Sequence, residues 1–489
     1  MAKQNEVDVG ITVKKDVDFS EWFTQLIQKA ELADVRYNIK GFVPYMPWSV
    51  ISMKRMYAKM ESILERKGHL PLIMPALIPE SNFKIEAAHV EGFAPQVFWV
   101  TEHGDGEKFE QRYALRPTSE TALYQMYSLW IRSYKDLPFK RYQSCQVWRH
   151  ETKQTRPFFR TREFHWIEAH DVFATEEQAY SQVKEDMEST YEFLHDYLAI
   201  PFIFFQRPSW DTFPGAVHTY AADALMPSGK VMQLPSTHML GQNFSKPFNV
   251  KYADENGSEK YGYITCYGPA ISRIYGAMIA LHGDDKGLIL PFDVAPTQIV
   301  IVPILFDDSK DKVLKKCEEI KKRLSKYHVH VDDRPEYTPG YKFNHWELRG
   351  VPIRIEVGPK DLEKKSVVMT KRGFKDKRFV PEADLVAEVD KVAANFTKDL
   401  IAKFEKQFME NIVDAKSFEE MKKAVDSDKI VRMSFCSNDK DGTACAEKVE
   451  KEAGAFVRGI RLDEKKKPEG NCAICGNKAN AIVYAAKSY

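Results

Sequence analysis

Two neighbouring runs of this chain have alternating faces, CQVWRHE at 145–151 and RTREFHWIEAH at 160–170, separated by a polar, basic segment around Lys153 and Pro157. Period-two patterning on both sides of such a segment predicts an antiparallel hairpin with a long loop. Successive strand side chains point to opposite faces. The first strand therefore places Val147, Arg149 and Glu151 on one side, and a regular second strand groups Arg160, Arg162, Phe164, Trp166, Glu168 and His170. A face that mixes guanidinium, carboxylate, aromatic and imidazole groups is a poor hydrophobic core, because buried charge is costly unless paired or coordinated. It suits a charged ligand that carries a flat ring.

Around this hairpin the pattern predicts further elements. Residues 19–68 read as helical, amphipathic over 50–67, and the proline-rich run HLPLIMPALIPE reads as extended. Thr118-Ser119-Glu120 opens a helix to about Tyr134, with Thr118 or Ser119 as N-cap. Helix 176–198, strand-like segments to about Tyr263, helix 269–282 and a connector at 288–297 follow. From Gln298 the strands QIVIVPI, HVHVDD, VPIRIEV and SVVMTKR, with the amphipathic helix SKDKVLKKCEEIKKRLSKY, predict an α/β domain with a largely parallel sheet. A helix at about 382–409 precedes a third unit.

A chain of 489 residues is long enough for about three domains. A net charge of +1 argues against a bulk electrostatic grip on nucleic acid, so such binding would need local patches. No apolar run reaches about 18 residues and MAKQNEVDVG has no secretory core, so a cytoplasmic protein with no membrane contact is expected. Four of the seven cysteines fall after residue 435. Cys436-x8-Cys445 and Cys472-x2-Cys475 suit tetrahedral zinc; the alternative is four free thiols. Four Cys ligands leave no open position, so the metal is expected to be structural, stapling a unit with a thin core.

Arg149 and Glu151, beside Arg160, suit a polyphosphate bound with magnesium: arginine offers a fork to phosphate oxygens, and a carboxylate holds the hard cation. Phe164 is placed to stack on a purine, and Arg273, after Ser272, to close on the far phosphates. The alternative is a structural ion-pair network. Neither a P-loop nor a dinucleotide-binding glycine run is present.

Together these residues resemble the class II aminoacyl-tRNA synthetases, and among them the prolyl-tRNA synthetase family of archaeal and eukaryotic type. The helix and strand ending near Pro75 are similar to motif 1, VWRHE followed by RTREF to motif 2, and GPAISRIYGAMIALHGDDKGLILP to motif 3. Motif 3 lacks the further glycines and the Glu before Arg common in the class, a departure that matches the prolyl enzymes. RPTSE, FHWIEAH and TPGYKFNHWELRGVPIRIEVGPKD are the specific prolyl signals, and the resemblance spans essentially the whole chain. It implies an α+β catalytic domain on an antiparallel sheet (1–290), an α/β anticodon-binding domain (291–400) and a small zinc-stapled α/β C-terminal domain (401–489).

The resemblance also implies roles. Thr118, Glu120, Trp166, Glu168, His170 and His238 would frame L-proline, whose secondary ammonium needs an acceptor and whose ring needs aromatic walls. Arg149 would bridge the proline carboxylate and the α-phosphate; Glu151, Arg160, Thr161, Phe164, Gln233, Ser236 and Arg273 would hold ATP and its magnesium. Glu347, Arg354 and Lys360 would read the guanines of the tRNA(Pro) anticodon, a trio of suitable donor and acceptor polarity. Arg354 and Glu356 alternate with Ile353, Ile355 and Val357, so they are expected to point outward. The chain's final Tyr489 would reach back towards the catalytic domain, motif 1 would form a homodimer, and the 171–268 span has no room for the bacterial editing insertion. The rivals are a sister ligase, a non-catalytic tRNA-binding module and a zinc-stapled scaffold. Against threonine stand the Trp166 pocket and the lack of an evident Cys/His zinc set in the catalytic half. Against the module stand the intact Arg149, Glu151 and Arg273. Near-zero net charge disfavours the scaffold.

Overall fold

The computed structural model describes residues 10–89, 96–151 and 154–489; Lys153 and the N-terminal stretch through Val9 lie outside them. The alternating hairpin forms, with strands Phe139–Trp148 and Glu163–Phe173 paired antiparallel from Phe139↔Val172 to Trp148↔Glu163. The first strand starts six residues earlier than the alternation suggested, because FKRYQS mixes charge and aromatics without clean alternation. Both strands also end sooner at the loop. Arg149, Glu151, Arg160 and Arg162 therefore sit in the connection, where an Arg156↔Arg160 bridge and a left-handed Phe158 (φ 64°) turn the chain.

This hairpin lies in a sheet of eleven strands, in the order 70–71, 139–148, 163–173, 263–268, 231–241, 218–225, 203–206, 456–461, 481–486, 430–435 and 412–415. From residue 70 to residue 268 it is antiparallel apart from the short edge strand Leu70–Pro71. The sheet runs on into the C-terminal unit through Ile460↔Gln206 and Arg461↔Phe205. One face is buried under helices Phe19–Lys29, Pro47–Arg66 and Ile271–His282 around Trp22, Phe23, Met56, Met60, Ile167, Tyr267 and Tyr275. Burying such side chains is the main favourable term in folding.

Several expectations need correction. The helical reading of 19–68 breaks into two helices, because Gly41 and Pro44 interrupt 30–46, an Ala33↔Tyr45 bridge forms there, and Pro47 opens the second helix. The helix opened at Glu120 ends at Trp130, and helix 176–198 is α-helical to Tyr191 before a π turn. Helix Glu80–His89 and strands Trp99–Glu102 and Lys108–Leu115 carried too little apolar period to be read. The second unit's sheet is mixed: Val329–Val331, Ile299–Pro303 and Ile353–Val357 are parallel, while Ser366–Lys371 and Asp376–Pro381 add antiparallel. Helix Pro339–Leu348, also unread, covers the face that was expected to be outward. Arg354 is only 11% exposed and Glu356 is buried, salt-bridged to Arg354 and Lys377.

Candidate active site

Cross-strand register assembles the site. His170 lies opposite Cys266, and Cys266 opposite His238, so three potential ligand groups stand in one row across three strands. One step along the hairpin Glu168 faces Gln143, and the next pair is Trp166 and Cys145. Glu168 is 2% exposed and accepts from Gln143 Nε2 (2.9 Å), from His170 Nε2 (3.3 Å) and from Ser119 Oγ. Burial pushes its pKa up, but the bonds from His170, Ser119 and Gln143 and the charge of His170 win, bringing it to about 2. His170 moves the opposite way: burial opposes its charge, yet Glu168, Glu120 and Asp171 raise its pKa. The Tyr124 hydroxyl lies 2.9 Å from its Nδ1.

Ser119 heads helix Glu120–Trp130 but gives the helix no side-chain cap bond, because its hydroxyl is committed to Glu168 and Gln143. The buried Glu120 accepts from Thr118 Oγ1. Gly268 makes room for the pocket wall: a Cβ there would come within 2.5 Å of the Trp166 ring. His238 packs tilted against Phe213 and bonds Thr219 (2.9 Å) and Ser236 (3.0 Å); burial first, then His170 and Arg207, depress its pKa to about 3, so it is neutral. Ser236, expected at the nucleotide, therefore joins the His238 group.

Arg149 marks the border between the two ends. Its guanidinium lies 5.0 Å from the Trp166 ring centre and 5.3 Å from that of Phe164, and its Nε donates to Pro117 O at 3.0 Å. Burial lowers its pKa, while Glu120, Glu168 and Glu151 hold it charged. Beyond it Arg160 approaches Glu151 at 3.8 Å, and Thr161 donates to Glu163 O. Arg273 donates to Phe159 O (3.1 Å), and burial with repulsion from Arg149 and Arg160 lowers its pKa to about 10. This contact is possible because Gly276 packs on the loop, where a Cβ would meet Phe158 Cβ at 2.6 Å. Arg160, Arg273 and Gln233 line a cavity of about 730 Å³ with Arg156, Lys230 and Tyr489. Tyr489 bonds Ser228 (2.7 Å) and packs edge-on to Phe159.

Ser119, Gln143, Tyr124 and Cys266 were missed as site residues. Gln143 would have been legible by counting back the hairpin register from Glu168. Cys266 also revises the zinc argument against threonine: Glu120, His170 and Cys266 hold ligand atoms within 4.8 Å of one another in the catalytic half. Burial and four surrounding carboxylates push the Cys266 thiol far above its usual pKa.

Away from this cleft, Glu347 and Arg354 come together (3.5 Å), with Arg354 over the Phe343 ring. Lys360 stands exposed on helix Pro359–Lys364. The sulfurs of Cys436, Cys445, Cys472 and Cys475 lie within 4.8 Å of one another. The Cys472 sulfur accepts from Ile474 N–H (3.5 Å), and Gly476 (φ 76°) closes the knuckle, an arrangement that fits thiolate ligation of zinc.

Three family models match the chain: tRNA synthetase class II core domain (G, H, P, S and T) over 98–282, anticodon binding domain over 298–392, and prolyl-tRNA synthetase, C-terminal, over 418–489. The proline–tRNA ligase of Thermofilum pendens is 50% identical over 485 residues, 98% of this chain and 99% of that one. That of Methanopyrus kandleri is 41% identical, covering 97% and 96%. Giardia lamblia prolyl-tRNA synthetase in complex with prolyl-adenylate superposes with a TM-score of 0.93 at 35% identity, covering 98% and 100%. The Cryptosporidium parvum enzyme complexed with L-proline and AMP gives 0.91 at 32%, covering 100% and 99%.

Proposed function

The chain belongs to the prolyl-tRNA synthetase family of class II synthetases, and from that premise we propose that it ligates L-proline to tRNA(Pro) through a prolyl-adenylate formed from ATP. The observation that carries this reading is a two-ended arrangement of charge across Arg149. An anionic end built from Glu120 and Glu168 meets a cationic end built from Arg160 and Arg273, with Arg149 at the junction over Trp166 and Phe164.

The proline carboxylate attacks the α-phosphorus in line and pyrophosphate leaves. The nucleophile is already ionised at neutral pH, so no general base is required, and rate comes from positioning and charge neutralisation. Glu120 and Thr118 accept and orient the secondary ammonium; Trp166 walls the ring. Glu168 and His170, fixed by Ser119 and Tyr124, frame the ring with it, and neutral His238 adds no competing charge. Arg149 neutralises charge between carboxylate and α-phosphate, Arg273 and Arg160 draw the outer phosphates, and Phe164, Thr161 and Gln233 seat the nucleoside, while Ser236 steadies His238. Magnesium, which Glu151 would hold, supplies further charge neutralisation on the phosphates. Proline then passes to the terminal ribose hydroxyl of the tRNA.

Glu347, Arg354 and Lys360 read the anticodon in this proposal, the four cysteines hold structural zinc, and the units divide near residues 290 and 400. A cytoplasmic homodimer completes it; among the described residues no helix is long and apolar enough to cross a membrane. ATP–pyrophosphate exchange measured with each of the twenty amino acids is the test. Proline alone giving strong exchange supports the ligase; no exchange with any amino acid, beside intact tRNA binding, would favour the non-catalytic module.

A further inference from the structure

Gln233 is held from behind by a charge network that the C-terminal unit completes. Asp223 on strand His218–Leu225 lies directly opposite Gln233 on strand Val231–Gly241. Two guanidinium groups grip its fully buried carboxylate. Arg207 donates through Nη1 (2.9 Å) and Nη2 (2.6 Å), and Arg458 through Nε (2.7 Å) and Nη2 (3.2 Å). Arg207 Nη1 also donates to Arg458 O (3.0 Å), and its Nη2 donates to Gln233 Oε1 (3.0 Å).

Arg458 reaches this point because strand Phe456–Arg461 is bulged at Val457/Gly459 and lies against Gln206. A Cβ on Gly459 (φ 116°) would stand 2.0 Å from Gln206 O. Bulges of this kind re-aim side chains at strand ends. Arginine has donors only, so its partner on Gln233 must be the carbonyl oxygen, which turns the amide N–H2 of Gln233 away from Arg207. Gln233 and Arg458 both line the cavity that Arg273 and Arg160 share.

We propose that Arg207 and Asp223, locked by Arg458 of the C-terminal unit, are positioning residues for ATP, presenting the Gln233 amide as a donor to the nucleotide. The inference rests on the ligase reading for its substrate. It makes the C-terminal unit a part of the nucleotide site rather than an appendage, and it reserves no role for Arg458 in holding proline.

The experiment compares Arg458→Gln, Arg458→Lys, Gln233→Ala and the Arg458→Gln/Gln233→Ala double variant by proline-dependent exchange, with ATP affinity measured by calorimetry and folding by thermal melting. Buried charge networks couple neighbours strongly, so Arg458→Gln should raise the KM for ATP about tenfold with the proline KM little changed. Arg458→Lys, which keeps the charge without the fork, should recover only part of it. In the Gln233→Ala background the Arg458 change should add almost nothing. An unchanged ATP KM, parallel losses for ATP and proline, or effects that multiply in the double variant would overturn the proposal. If Arg458→Gln fails to fold, the same cycle run with Arg458→Lys decides it. Absence of exchange in the unaltered protein would sink the ligase reading alone, since calorimetry with ATP still reads the Arg458 effect.

Discussion

At the scale of single residues, space and protonation set the site. The Trp166 ring occupies the volume a side chain at residue 268 would need, and an indole wedged between strands cannot swing aside as a lysine tip would. Gly268→Ala is therefore expected to raise the KM for proline while leaving that for ATP nearly unchanged, at a stability cost of about 1–3 kcal/mol, the usual range for overpacking. Steady-state kinetics with each substrate varied in turn checks this. Asp186 offers a second test. Burial first and the Asp171 charge next hold its carboxyl up to about 7, against bonds from Thr237 (2.7 Å) and Gln182 (2.8 Å). The unfolded chain loses this proton near pH ~4, whereas the folded chain keeps it to about 7, so stability from this group is full at low pH and falls as pH rises between those values. Asp186→Asn removes the effect. Melting curves at pH 5 and pH 8 should show the variant gaining on its parent at the higher pH.

Among elements, the hairpin was legible because alternation survives wherever one face is buried and the other meets different chemistry. The loop was legible but its path was not: the left-handed Phe158 and the docking of Phe158 and Phe159 on Gly276 depend on a helix more than a hundred residues away. For that reason Arg160 approaches Glu151 from the connection and not from a strand. The cysteine cluster was readable because ligand spacing is local. The start of helix Glu120–Trp130 separates the two kinds of information. Sequence marks Thr118 or Ser119 as the N-cap; Ser119 stands at that position, but its hydroxyl serves Glu168. Loss of an N-cap costs roughly 1 kcal/mol of helix stability. Here Ser119→Ala is expected instead to weaken proline binding, with helix content by circular dichroism unchanged. A fall in helicity with normal proline affinity would return Ser119 to the capping role.

On the scale of the whole molecule, distant segments meet in ways no local pattern records: the C-terminal sheet joins the catalytic sheet edge to edge, and Arg349 reaches Glu31 while Arg372 reaches Asp284 (2.6 Å). A metal staple in the C-terminal unit should thus be felt by the catalytic unit. Metal analysis is expected to find zinc on the chain, and Cys472→Ser to lose it and lower the melting temperature of a single cooperative transition. Zinc-free protein that melts unchanged would leave the cysteines as free thiols. In the proposed reaction one sheet face seats an amino acid and a nucleotide side by side, with Arg149 where they meet. Single-turnover formation of prolyl-adenylate by Arg149→Ala, followed with saturating proline and ATP, tests it most directly. Adenylate formation is expected to be lost in a variant that folds normally; adenylate forming at the parent's rate would remove Arg149 from the junction.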